Sequence, residues 1–317
     1  MKKINLLSKF KGAVYGLAIG DQLGYAVEFM RYSEIKKLFG EKGLTDFIGK
    51  KYSDDAQMSI AVANGLIKAS REHYSVDNVM KYVSNEFVKW LHDPENNRAP
   101  GNTCLSGCRN LEKGIDWRKS GDNNSKGCGA AMRSAPIGLF YFNGEEKLAE
   151  VSYAVSKCTH GHNSGIASGI ATAYLTSLAV KNVDPNKYET MLIDFMEKTG
   201  KKMNFDVNEF NSKIKEISQA KKLDLIKGVH FLGDGWIGEE AVAASLYCFL
   251  SSPNDYKKSV LLAANTDGDS DTIACITGAI SGAYNSISKI PGNWIKNVEN
   301  TSMLEKLATN LYNSSRD

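Results

Sequence analysis

The sequence has no run of about 18 apolar residues, so it predicts no transmembrane helix. It has no block of like charge either: 39 basic side chains face 36 acidic ones, the net charge is +3, and no aromatic stripe interleaves the lysines, so nucleic acid is not an expected partner. Its six cysteines (Cys104, Cys108, Cys128, Cys158, Cys248 and Cys275) include no CxxC pair and read as reduced thiols of a cytoplasmic protein. The opening MKKINLLSKFKG carries Lys2 and Lys3, but Lys9 and Lys11 interrupt the apolar stretch before it reaches the length of a signal-peptide core. Proline is scarce, with six in 317 residues, and no succession of alternating β-branched runs suggests a sheet. With no Gly/Ser/Pro linker and no repeat of fixed period, the chain reads as one domain, 1–317.

What it does have is helical periodicity built on small residues. GAVYGLAIGDQLGYAVE places Gly12, Gly16, Gly20 and Gly24 four apart, a slowly winding stripe on one helix face. Each glycine costs a helix about 1 kcal/mol, so the stripe implies close approach of another backbone or of a ligand. SGIASGIATAYLTSLAV (164 to 180), GEEAVAASLYCFL (238 to 250) and TIACITGAISGAY (272 to 284) repeat the style. The reading is an all-α, single compact globule of tightly packed helices, with the more polar 183–233 as a peripheral helical excursion.

Acidic residues collect where two of these helices begin. Asp267, Asp269 and Asp271 precede one, and Ser53, Asp54 and Asp55 precede another. One aspartate is a routine helix cap. Several repel one another unless a cation lies between them. In an extended turn Asp269 and Asp271 point the same way, with the Thr272 hydroxyl beside them. These are hard oxygens with no histidine or cysteine close by in sequence, a donor set that selects Mg²⁺ or Mn²⁺ over zinc. Glu28 adds a carboxylate after the glycine stripe, and the joint charge calls for two divalent ions.

Three further stretches suit a ligand. In SKGCGAAMRSAP (125 to 136), Gly127 and Gly129 let backbone N–H groups approach phosphate, or serve only as packing glycines at a helix start. Arg133 there reaches an anion or pairs with Glu28 or another core acid. His160 and His162 in THGHNSG suit a helix terminus or a metal. NRAPGNTCLSG reads as a loop entering a helix, with Asn102 and Thr103 as caps.

GLAIGDQLGYAVEF, YSDDAQM, GCGAAMRSAPIGL, THGHNSGIASG and GDSDTIACITGAISGAY together resemble, in order, the successive signatures of the ADP-ribosylglycohydrolase family, from about residue 11 to 286 and thinning over 183–233. The resemblance implies an orthogonally packed all-α fold with two Mg²⁺ or Mn²⁺ at the bottom of a cleft. Metal ligands then fall on Ser53, Asp54, Asp55, Asp269, Asp271 and Thr272, and general acid or base roles on Asp54, Asp55, Asp269 or Glu28, while Asp267 becomes a cap or a supporting residue. Substrate contacts fall on Gly101, Asn102, Thr103, Gly127, Cys128, Gly129, Met132, His160 and His162, the histidines positioning substrate.

The implied reaction is metal-dependent release of ADP-ribose from a modified protein or a small ADP-ribosyl conjugate, arginine-linked first and serine-linked or other next. It passes through an oxocarbenium-like state. Two positions depart from the family pattern. Ala56 stands where threonine is common, and RAPGNT has no acid for arginine recognition, Asp93 and Glu95 lying earlier. Tyr25, Phe29 and Trp236 either stack on adenine or are ordinary core aromatics. The alternatives are a catalytically silent ADP-ribose-binding protein on the same fold and a prenyl-diphosphate enzyme. The latter places a third acid in the turn after its paired aspartates, where Gln57 and Met58 stand here.

Overall fold

The computed structural model describes residues 5–315. Lys2 and Lys3 lie outside them. Among the described residues the chain is helical with no β-strand and two isolated bridges, Asp122 with His160 and Gly127 with Ile237. In chain order come α1 (Leu6–Tyr25), α2 (Tyr32–Phe39), α3 (Asp54–Ala69), α4 (Val76–Leu91), α5 (Asn102–Glu112) and α6 (Trp117–Ser120). α7 (Ala135–Phe140), α8 (Glu145–Lys157) and α9 (Asn163–Val180) follow. Then come α10 (Tyr188–Met203), α11 (Asn208–Lys215), α12 (Ile217–Ala220) and α13 (Leu225–Phe231). The chain closes with α14 (Gly238–Ser251), α15 (Tyr256–Ala264), α16 (Ser270–Asn285), α17 (Gly292–Asn297) and α18 (Thr301–Ser314). No helix among the described residues is long and apolar enough to cross a membrane.

The core is organised by α1 and α16, which share the largest helix–helix interface. They run antiparallel, backbone against backbone. A Cβ on Gly12, Gly16, Gly20 or Gly24 would fall inside the carbonyl oxygens of Gly282, Gly278, Ala274 and Ser270 respectively. The glycine stripe is thus a seam for a second helix. α9 and α14 complete the centre, each buried along nearly its whole length and touching α16.

Lys9, buried in α1, ties the far end of the seam. Its ammonium donates to Ala179 O (3.1 Å), Ala283 O (2.8 Å), Tyr284 O (3.0 Å) and Asn182 Oδ1 (2.6 Å). These are C-terminal groups of α9 and α16, where unpaired carbonyls and the negative dipole end favour a cation.

The 183–233 excursion forms α10 to α13, which pack on α9 and α14. It also reaches inward. Glu209 of α11 accepts from Lys126 Nζ (2.6 Å) and Ser164 Oγ (2.9 Å), and Lys126 bonds buried Glu239 (2.9 Å) as well.

Candidate active site

Because α1 and α16 are antiparallel, the end of α1 meets the beginning of α16, and α3 starts beside both. α16 is entered through Gly268 at φ +77°, a left-handed turn where a side chain would run into Asp234. Asp269 then caps the helix, its Oδ1 accepting from Thr272 N at 3.2 Å, while its own N–H donates to Asp234 O at 2.8 Å. Asp269 and Asp271 are therefore the cap and the second helical residue, not members of an extended turn. Both nevertheless line one cavity. Asp267 caps a different helix: its Oδ1 accepts from Tyr32 N, the first residue of α2, at 2.6 Å.

At α3, Ser53 is the N-cap and its Oγ accepts from Asp55 N at 3.2 Å. A second carboxylate reinforces the cap. Asp21, fully buried in α1, accepts from Ser53 N (2.8 Å) on Oδ1 and from Ala56 N (2.7 Å) on Oδ2. Sequence reasoning passed over Asp21. An aspartate inside a glycine-striped, otherwise apolar helix was the available signal. Ala56 makes this backbone bond without the threonine hydroxyl of the family pattern. Asp54 N donates to Arg98 O (3.1 Å), and Gly101 N donates to Asp54 Oδ2 (3.3 Å).

These elements enclose a cavity of ≈ 210 Å³. Five carboxylates line it, from Glu28, Asp54, Asp55, Asp269 and Asp271, together with Thr272 and no lysine or arginine. Gly101, Asn102, Thr103, Gly127, Cys128, Gly129, Met132 and His160 form the rest of the wall with Phe29, Ala99, Cys104 and Trp236. Two expected members are elsewhere. Ser53 is spent on the α3 cap and does not line the wall. His162 caps α9, accepting from Ser164 N at 3.2 Å, and does not line it either. The cap of α5 is Gly101, with Asn102 its first helical residue.

Three further expectations change. Arg133 reaches neither an anion nor an acid: it is buried against Phe87 and donates to Val155 O (2.7 Å) and Thr159 Oγ1 (2.5 Å). A cysteine and a histidine do stand near the carboxylates. Cys128 Sγ lies 3.0 Å from Asp269 Oδ2 and 3.7 Å from Thr272 Oγ1, and His160 lines the same cavity, contacts that sequence distance hides. Of the aromatic candidates, Tyr25 is off the wall, while Phe29 and Trp236 stack at 5.1 Å and 7°, both largely exposed. Phe29 holds φ +65°, a left-handed conformation that costs a bulky residue energy and is fixed by its N–H bond to Gly268 O at 2.9 Å.

Electrostatically the cavity is short of positive charge. Burial lifts the Asp21 carboxyl to about 7 despite its hydrogen bonds from Ser53 and Ala56, and lifts Glu28 and Asp54 to about 8 with help from neighbouring carboxylates. Asp55 and Asp271 are pushed well above the usual range, first by burial and then by neighbouring acids, Asp21, Asp54 and Asp269 around Asp55 and Asp55, Asp269, Glu28 and Asp21 around Asp271. Among the described residues no three His, Cys, Asp or Glu side chains converge to hold an ion as they stand. The donor set nevertheless suits hard divalent cations. Asp55 Oδ2 is buried without a hydrogen-bond partner, and the surrounding acids have no basic side chain on the wall to neutralise them.

A family model described as ADP-ribosylglycohydrolase matches residues 2–317. An uncharacterized protein of Archaeoglobus fulgidus is 30% identical over 96% of this chain and 96% of its own length. ADP-ribosylarginine hydrolase Tri1 of Pseudomonas putida is 25% identical, covering 96% of this chain and 78% of its own. ADP-ribosylhydrolase ARH3 of Mus musculus is 24% identical over 96% and 91%. A solved structure titled as an ADP-ribosylglycohydrolase-related protein complex superposes with a TM-score of 0.73 at 22% identity, covering 98% of this chain and 99% of that one, and shares the fold.

Proposed function

Because the chain belongs to the ADP-ribosylglycohydrolase family, we propose that it removes ADP-ribose from modified protein side chains or small conjugates in a reaction dependent on two divalent cations. ADP-ribosyl hydrolysis is what the family and the named relatives have in common. The cations, the linkage and the residue roles are the proposal. One observation carries it: a cavity walled by five carboxylates without a lysine or arginine, one of whose oxygens, Asp55 Oδ2, has no partner.

Asp54, Asp55, Asp269, Asp271 and Thr272 would hold two Mg²⁺ or Mn²⁺, with Ser53 as their support from the α3 cap. When bound, such ions supply Lewis acidity toward ribose hydroxyls and an activated water. The protein's own part is separate. Glu28 borders the cavity and makes no hydrogen bond among the described residues, so its carboxyl is free to exchange a proton at the reacting centre, whereas both oxygens of Asp269 are engaged. The Gly127–Gly129 turn and His160 face the diphosphate. Phe29 and Trp236, exposed at the rim, offer rings to the adenine. The cavity is smaller than the roughly 300–1,000 Å³ of pockets that swallow a whole ligand, which suits a ribose inside and a nucleotide along the rim.

Arginine-linked ADP-ribose is the first substrate to try, because a relative bears the name ADP-ribosylarginine hydrolase. Serine-linked substrate belongs beside it. The 99–103 wall brings no carboxylate to a guanidinium, and Asp93 and Glu95 face a different cavity, Glu95 being paired with Lys51 and Arg98. The experiment measures ADP-ribose release from both substrates with Mg²⁺, with EDTA and with Asp269→Ala. Metal-dependent release lost in the variant is expected. Tight binding of ADP-ribose without release from either substrate would leave a silent binding protein.

A further inference from the structure

His160 and Arg133 are both buried, and one hydroxyl joins them. Thr159 Oγ1 accepts from Arg133 Nη2 at 2.5 Å. It has one proton to give, with Ser156 O at 3.5 Å and His160 Nδ1 at 2.8 Å. The shorter contact takes the proton, because hydroxyl hydrogen bonds weaken rapidly beyond about 3 Å. A hydroxyl already accepting from a guanidinium is polarised toward donating, which works the same way. Nδ1 is then an acceptor, and in a neutral imidazole the hydrogen must sit on Nε2. Burial lowers His160 to about 3, with Arg133 adding to the effect, so the ring stays neutral near pH 7.

Nε2 faces the glycine turn. A Cβ on Gly127 would lie 3.2 Å from it and one on Gly129 3.1 Å, so only glycine leaves the ring this close to the backbone. His160 lines the cavity, and among the described residues nothing accepts a hydrogen bond from Nε2.

We propose that Arg133 and Thr159 are positioning residues that lock His160 as its Nε2–H tautomer, so that the ring presents a single neutral hydrogen-bond donor to a phosphate or ribose oxygen held at the Gly127–Gly129 turn. This rests on the reading that ADP-ribose occupies the cavity. The opposite tautomer would turn a lone pair toward the same oxygen and repel it. Arg133 thus acts on the ligand through Thr159 and His160 by its Nη2, while its Nη1 contacts Cys104 Sγ (3.5 Å) and Met58 Sδ (3.7 Å).

The test joins ring ¹⁵N NMR of His160 with calorimetric titration by ADP-ribose, on the wild type, Thr159→Val and Thr159→Ser. The wild type should show hydrogen on Nε2. Thr159→Val should lose that preference and bind ADP-ribose about 5- to 10-fold more weakly, the size of one hydrogen bond, and Thr159→Ser should restore both. Hydrogen on Nδ1 in the wild type overturns the proposal, as does undiminished ADP-ribose affinity in a folded Thr159→Val. A wild type that has the Nε2–H form but binds no ADP-ribose upholds the relay and overturns the functional reading of the cavity. Should Thr159→Val fail to fold, the wild-type spectrum and the serine variant still decide.

Discussion

At the scale of single residues, the carboxylates that were easy to read are those adjacent in sequence. Asp54, Asp55, Asp269 and Asp271 announce themselves as clusters at helix starts, and the cavity contains them all. Asp21 stands alone and gives no such sign, yet it satisfies two buried N–H groups of α3 across more than thirty residues. Asp21→Ala should destabilise the protein by about 2–4 kcal/mol in urea unfolding, because both donors lose their acceptor in a place water does not reach. Relief of repulsion with Asp54 and Asp55 offsets part of that. A loss below about 0.5 kcal/mol would mean that the Ser53 hydroxyl suffices as the cap. Arg133 was illegible for a related reason. A guanidinium in a glycine-rich motif suggests an anion, whereas its partners, Val155 O, Thr159 Oγ1, Cys104 Sγ and Met58 Sδ, are neutral groups that only the fold brings to it.

Among the helices, periodicity spoke clearly about faces and was silent about partners. The four-residue spacing of Gly12 to Gly24 fixes a face on α1 that another backbone must touch, but nothing in the spacing names α16. The pairing emerges only from the antiparallel register, in which Gly16 meets Gly278. Gly16→Ala tests it. Alanine favours an isolated helix by about 1 kcal/mol, yet here its Cβ meets a backbone carbonyl of a packed helix that cannot rotate aside. We expect a net loss above about 3 kcal/mol or failure to accumulate folded protein. Gly292→Ala, where no atom lies within 4 Å of the added Cβ, serves as the control and should leave the melting curve nearly unchanged. Similar melting of the two variants would show that the seam yields. The polar character of 183–233 sets it apart in the sequence, but its use of Glu209 to hold Lys126 beside the glycine turn depends on a contact 83 residues apart.

Across the whole molecule, three distant segments are pulled into one acidic cavity whose wall has no lysine or arginine to pair with them, so without a cation the carboxyls are driven toward protonation. Mg²⁺ or Mn²⁺ should therefore raise the melting temperature. A ligand at about 100 times its Kd adds about 2.7 kcal/mol, several degrees for a domain of this size. In Asp269→Ala the increment itself should shrink to a small fraction, whatever the variant's melting temperature without metal. An equal increment in both proteins would place the cation elsewhere. The seam between α1 and α16 also has a meaning for biosynthesis. Roughly 245 residues separate Tyr25 from Ser270. At about 5–20 residues per second, a ribosome leaves the glycine face of α1 without its partner for on the order of 12–50 s. A nascent chain in that interval holds the apolar and glycine face of α1 without the helix that buries it in the finished fold. It also lacks Asp269 and Asp271, two of the five carboxylates on the cavity wall, so the acidic site is assembled only when α16 arrives.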